Sequence, residues 1–197
     1  MSTHLVKLEL SERLAGWRAA NRLQHFGHLV RCWGVMESMR KIKSVAVRQG
    51  PTAALEVLYR AEYTGMVRLA FTLVGSTAEA EEIVQDSFVE ISRRIADLGR
   101  QPGGYLRAVV VSRCRSALRR RRMMGQYAFR PTDLAPEAES LWDVLEHLTE
   151  EQRIAVVLRY YCGCNASEIA AIVDQPAATV RSHLRRALPA MRKEIIA

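Results

Sequence analysis

Eight arginines fall between Arg100 and Arg122 (Arg100, Arg107, Arg113, Arg115, Arg119, Arg120, Arg121 and Arg122), with no acid among them. A guanidinium stays charged in a protein, and its planar fork of donors matches phosphate oxygens and the paired acceptors of guanine. The chemistry on offer is attachment to a polyanion. Just upstream the sign reverses: Thr72 to Ser92 holds five acids, Glu79, Glu81, Glu82, Asp86 and Glu90, and no Lys or Arg. An acidic segment followed by an arginine segment points to two different partners, and the formal net charge of +8 has the sign of a nucleic-acid binder.

A third cluster, Arg181, Ser182, His183, Arg185 and Arg186, lies near the C-terminus. Arg suits guanine and phosphate, while Ser and His can donate or accept at a base edge. Tyr105, Tyr127 and Phe129 flank the arginine segment and offer ring faces on which an unstacked base could rest. For Tyr105 a half-buried packing position with a wet hydroxyl is the competing assignment.

Other constellations lead away from catalysis. The carboxylates have no paired His or Lys, no glycine-rich phosphate loop is present, and no Ser stands in a His-Asp setting, so an enzyme is not expected. His25, His28 and Cys32 share a helical spacing without a fourth ligand, and Cys162 and Cys164 are separated by one residue rather than the usual two. Both sets read as packing or surface residues, and no metal or cofactor is expected. The longest apolar runs fall far short of the ~20 residues of a membrane span, and Lys7, Glu9, Glu12 and Arg13 break up any signal-peptide core. The expectation is a cytoplasmic protein without membrane insertion.

The elements that must hold these clusters can be read from period and punctuation. Of the 197 residues 49% are hydrophobic, enough to bury one core or two small ones. Residues 1–50 lack a persistent apolar stripe and end at Gly50-Pro51. They read as a regulatory extension, a loose arm, or sequence upstream of a later start at Met36 or Met39. From Thr52 the apolar residues Leu55, Leu58, Tyr59, Met66, Leu69, Ala70, Leu73 and Val74 recur at helical spacing as far as Gly75. Ser76 and Glu79 then form a capping-box pattern ahead of a second helix. Its inner stripe is Ala80, Ile83, Val84, Ser87, Phe88, Ile91 and Ile95, and Glu82, Asp86 and Glu90 step along an outer face.

Pro102 suits the first turn of a third helix, with Leu106, Val109, Val110, Cys114 and Ala117 inward and Arg107, Arg115, Arg119 and Arg122 outward. Residues 123–140 lose the pattern around Pro131 and Pro136 and read as a flexible linker. Thr149 and Gln152 cap a helix carrying Ile154, Val157, Leu158 and Tyr161 inward, and Gly163 stops it. Asn165 and Glu168 cap the next, with Ile169, Ala170 and Val173 along it; Asp174-Gln175-Pro176 then turns the chain into a last helix with Val180, Leu184, Leu188 and Met191 inward. Pro189 should end or kink that helix near residues 185–188. Two short helices joined by a tight turn make a helix-turn-helix, whose second helix enters the major groove of DNA. The fold class expected is all-α: two small helical domains, 51–122 and 141–197, joined by the linker, the C-terminal one a helix-turn-helix.

Three stretches in this order, AEAEEIVQDSFVEISRR (78–94), PGGYLRAVVVSRCRSALRRRR (102–122) and LTEEQRIAVVLRYYCGCNASEIAAIVDQPAATVRSHLRRALPAMR (148–192), resemble the bacterial sigma-70 family, in particular its extracytoplasmic-function (ECF) group. The resemblance covers about three quarters of the chain. It implies a protein that binds core RNA polymerase, through the beta-prime clamp and beta, and directs promoter recognition and transcription initiation. It places Glu82, Gln85 and Asp86 against the clamp. Tyr105, Arg107, Ser112, Arg113, Arg115, Arg119 and Arg122 would lie on a single-stranded minus-10 element, and Arg181, Ser182, His183, Arg185 and Arg186 on a duplex minus-35 element. An anti-sigma factor is a further partner it leaves open. The alternative is a helix-turn-helix regulator that binds operator DNA without polymerase. The chain departs from the family pattern with Tyr105 in place of Trp, Ser112 in place of Asn, Ser116 in place of Asp, and Asp174 and Pro176 where the turn has Gly and Ser. Residues 1–50 have no counterpart in it.

Overall fold

The computed structural model describes residues 50–96, 98, 102–125 and 142–196. The fold is all-α and divides into two compact helical units. The expected N-terminal extension and nearly all of the expected linker lie outside the described residues, as do Arg100, Tyr127, Phe129, His25, His28 and Cys32.

The first unit is built from α1 (Pro51–Val74), α2 (Thr77–Ser92) and α3 (Pro102–Met123). Pro51 opens α1, where a missing amide hydrogen costs nothing. Gly75 closes it in the left-handed region at φ 75°, its N–H donating to the Phe71 carbonyl at 2.7 Å. Ser76 is extended and its hydroxyl accepts the Glu79 amide at 3.4 Å. All seven residues expected on the inner stripe of α2 are buried, Ile95 just beyond the helix end. With Leu58, Leu69 and Leu73 of α1 and Leu106 of α3 fully enclosed, this core gains about 1.5–3 kcal/mol per large apolar side chain. Cys114 is buried within it, and burial pushes its thiol pKa up to about 12, so it packs as a neutral group. Tyr59 departs from the expected stripe. It is 44% exposed and stacks on Tyr63, with centroids 4.6 Å apart, and meets Phe88 edge-on.

The second unit begins with a helical stretch at 142–146 that buries Trp142, Val144 and Leu145. Next come α4 (Glu150–Val156), a π-helical turn (Val157–Tyr161), α5 (Ala166–Val173) and α6 (Ala177–Ile196). A reciprocal capping box starts α4: Gln152 N–H donates to Thr149 Oγ1 at 3.4 Å, and Thr149 N–H to Gln152 Oε1 at 3.0 Å. The π turn has Cys162 N–H donating to the Val157 carbonyl at 3.2 Å, and every residue from Arg153 in α4 to Leu158 in the π turn is buried. Gly163, at φ 71°, follows that turn. Arg153 is enclosed there; burial lowers its pKa, and the charges of Glu150 and Glu146 act against that.

Asn165 caps α5 through the amides of Ser167 and Glu168, and Glu168 Oε2 returns the bond by accepting Asn165 N–H at 2.7 Å. Asp174 then takes the left-handed conformation at φ 53° and ψ 55°. That backbone explains why glycine suits this position, since only Gly adopts it without crowding its Cβ. Pro176 stands just before α6, its carbonyl accepting the Thr179 and Val180 amides at 2.9 and 3.2 Å. It is therefore the capping residue rather than the first helical one. Of the end or kink expected near residues 185–188, the end does not occur: α6 runs through Pro189 to Ile196. Proline removes only the donor for the Arg185 carbonyl, and buried Ala187 and Met191 anchor the helix on either side of it. Val180 is also buried, whereas Leu184 and Leu188 are only half-buried.

Candidate nucleic-acid interfaces

In α6 an outward stripe begins at Ala178 and continues through Arg181 and Arg185, with Arg186 beside it, all exposed. Spacing of three and four keeps these residues on one face while Val180, Ala187 and Met191 fill the other. Ser182 and His183 lie half-buried at the margins of the stripe. The stripe follows the three-residue turn after a doubly capped α5. The second helix of a helix-turn-helix is thus held at a fixed angle with its first turns open to solvent.

The arginines of α3 are arranged differently. No acid neighbours them in sequence, yet acids of the other helices reach them. Arg113 donates from Nη1 to Asp86 Oδ2 at 3.2 Å and from Nη2 to Glu90 Oε2 at 3.1 Å. Arg121 donates to Glu79 Oε2 and, at 2.7 Å, to the Val74 carbonyl, tying the end of α3 to the turn between α1 and α2. Glu79 therefore serves this bridge and does not close the reciprocal capping box that its spacing from Ser76 suggested.

Arg107 is half-buried rather than on an open outer face, and its charge acts on Glu62 of α1. Glu62 is 9% exposed, and its carboxylate lies against Gly103 in the first turn of α3, where a Cβ would come within 3.6 Å of Oε1. Burial raises the Glu62 pKa, and the Arg107 charge pulls the other way. Arg115 is half-buried, while Arg119, Arg120 and Arg122 are exposed, as are Ser112 and Ser116.

Tyr105 is half-buried at the start of α3. Its hydroxyl accepts from Arg94 Nη1 at 3.1 Å and donates to Glu90 Oε1 at 3.4 Å. The acidic face of α2 is accordingly split. Glu81, Glu82 and Gln85 are exposed, exposed Asp86 also reaches Arg113 of α3, and half-buried Glu90 turns toward α3. Sequence reasoning assigned Asp86 to the polymerase clamp and missed it, along with Glu62, Glu79, Glu90 and Arg94, as a partner of the arginine helix. The available signal was the matching number of acids on preceding helices, although spacing alone does not say which pairs meet.

Among the described residues no group of three or more His, Cys, Asp or Glu side chains is gathered as a metal site. Cys164 is buried and Cys162 half-buried, and Arg159 Nη1 donates to the Cys164 carbonyl at 3.0 Å. No helix among the described residues is long and apolar enough to cross a membrane.

Comparison with known proteins places both units. Residues 58–123 match the family description "Sigma-70 region 2" and residues 138–191 match "Sigma-70, region 4". The chain is 30% identical over 164 residues to the RNA polymerase sigma-E factor of Streptomyces coelicolor, covering 75% of this chain and 89% of that protein. It is 26% identical over 170 residues to the ECF RNA polymerase sigma factor SigL of Mycobacterium tuberculosis, covering 78% and 94%. Two solved structures share the fold at a TM-score of 0.58. The sigma factor RpoE, in complex with the anti-sigma factor NepR from Bartonella quintana, is 19% identical, with 71% of this chain and 94% of that one covered. CnrH in complex with the cytosolic domain of CnrY is 18% identical, with 81% and 95% covered. With both conserved regions matched in order and most of a relative's length covered, the chain belongs to the ECF group of the sigma-70 family, the sigma factors that bind core RNA polymerase and direct it to initiate transcription at promoter DNA.

Proposed function

We propose that the chain divides the work of promoter recognition between its two units, and that it does so in the cytoplasm without catalysing a bond itself. The C-terminal unit, 141–197, reads the minus-35 element as duplex: Arg181, Arg185 and Arg186 reach base edges and phosphates, with Ser182 and His183 at the margins of the contact. The first unit, 51–122, holds the minus-10 element as single strand, with Tyr105 and Ser112 as base-facing candidates. Arg107, Arg113, Arg115, Arg119 and Arg122 supply positive potential along the strand. Glu82, Gln85 and Asp86 dock on the beta-prime clamp. An anti-sigma factor is the regulatory partner proposed by analogy with the complex of RpoE and the anti-sigma factor NepR.

The observation that carries this reading is the open arginine stripe of α6, held directly behind a capped three-residue turn. Its test is a gel shift on promoter-library DNA with and without the host's core polymerase, followed by runoff transcription from the recovered sequences. Retention and runoff only in the presence of core are expected. Tight binding of duplex DNA by the chain alone, with no effect of core, would instead identify an operator-binding regulator.

A further inference from the structure

Glu90 belongs by spacing to the acidic face of α2, but its carboxylate is committed to the arginine helix. One oxygen takes Arg113 Nη2 at 3.1 Å and the other takes the Tyr105 hydroxyl at 3.4 Å. Tyr105 and Arg113 stand eight positions apart on α3, about 12 Å along its axis, and one side chain from the neighbouring helix joins them. Arg94 completes the set by donating to the Tyr105 oxygen at 3.1 Å. A phenol has one hydrogen to give and lone pairs to accept with. With an acceptor on one side and a donor on the other, the Tyr105 ring is held in one orientation. Arg113, forked between Glu90 and Asp86, is fixed in the same way.

We propose that Glu90 is a positioning residue for minus-10 recognition: it touches no DNA, but sets the orientation of Tyr105 and the reach of Arg113, and so the choice of base at the single strand. The proposal rests on the reading of Tyr105 as a base-facing residue. It gives the acidic helix two separate duties, polymerase docking at Glu82 and Gln85 and alignment of α3 at Glu90. The Glu90 pair is about one third exposed, and such pairs add little to stability, so variants at this position should fold.

The test uses holoenzyme formed with the host's core polymerase and a fork-junction DNA library whose single-stranded segment, at the minus-10 position, is randomised. Bound molecules are sequenced and the enrichment of each base is read, with core affinity measured in parallel. Glu90→Ala and Tyr105→Phe should each lower enrichment at the same positions, by about fivefold, the low end of a coupling between sites. The double variant should lose no more than either single one, and core affinity should stay within about twofold. A general loss of structure would lower core binding and total retention without changing the ratio between bases. Full enrichment in Glu90→Ala, or independent losses that multiply in the double variant, would overturn the proposal. Tyr105→Ala separates the two layers. If it loses enrichment while Glu90→Ala keeps it, the role of Glu90 alone falls; if it too keeps full enrichment, the base-facing reading of Tyr105 falls and takes the proposal with it.

Discussion

Helices α3 and α6 both present arginines at helical spacing, and in sequence the first is the stronger cation. In the folded chain that lead disappears among the exposed residues: Arg119, Arg120 and Arg122 on α3 stand against Arg181, Arg185 and Arg186 on α6. Ion pairs among the described residues engage Arg60, Arg113 and Arg121, and none reaches the α6 stripe. In α3, Arg113 is shared by two acids, Arg121 is tied to the α1–α2 turn, and the Arg107 charge acts on buried Glu62. A run of like charge therefore does two jobs in the first unit, holding helices together and presenting a cationic tip at Arg119, Arg120 and Arg122. On α6 the exposed Arg181, Arg185 and Arg186 lie opposite the packed face, which Val180, Ala187 and Met191 supply.

Variants can break or sharpen this contrast. The largest effect is expected in α6. Replacing Arg181 and Arg185 together with Ala should weaken holoenzyme binding to minus-35 duplex on the order of 10²-fold, taking each lost bidentate contact at about 1–3 kcal/mol. Thermal stability should stay within about 0.5 kcal/mol of the parent, as for other surface changes. Filter binding and calorimetry on the same samples measure both, and a large stability loss would mean that α6 resembles α3 after all.

A smaller effect, specific to the first unit, concerns Glu62. Its pKa is raised in the folded state, chiefly by burial, above the ordinary glutamate value of 4.5. The folded chain therefore holds the proton more tightly than the unfolded one. Its favourable contribution is complete below the unfolded pKa and is lost as pH rises through the elevated folded value. Against Glu62→Gln, which stays neutral, the parent should lose relative stability from about pH 4.5 upward, as read by denaturant titrations at several pH values. A stability difference independent of pH would contradict the placement of this carboxylate.

Much of the architecture was legible because it is written in local rules. Gly75, Ser76, the Thr149–Gln152 and Asn165–Glu168 boxes, and the left-handed turn at Asp174 mark helix ends through residues a few positions apart. The inner stripe of α2 followed from period alone. What escaped were features set by the crossing of helices or by register. The pairings of Arg113 with Asp86 and Glu90, and of Arg121 with Glu79, span 23 to 42 positions, and no periodicity encodes them. The run from Arg153 to Leu158 is buried on all sides across the end of α4 and the start of the π turn at Val157–Tyr161, where one amphipathic face was expected. Pro189 suggested an end or a kink, yet α6 continues past it with Ala187 and Met191 packed on either side. The same division holds for the candidate sites: residue types announced cationic surfaces, whereas which cations remain open was a tertiary matter.

The division of labour within α3 is tested most directly by the salt dependence of holoenzyme binding to fork-junction DNA, compared between Arg119→Ala/Arg120→Ala and Arg121→Ala. Each phosphate contact on a single strand contributes about 0.7 to the slope of log affinity against log salt. The paired exposed variant should flatten that slope by about 1.4 with its melting temperature unchanged. Arg121→Ala should keep the parental slope while losing about 2 kcal/mol of stability, roughly 10 °C in melting temperature, since its charged hydrogen bonds hold the α1–α2 turn. A flattened slope for Arg121→Ala beside an unchanged one for Arg119→Ala/Arg120→Ala would contradict the account.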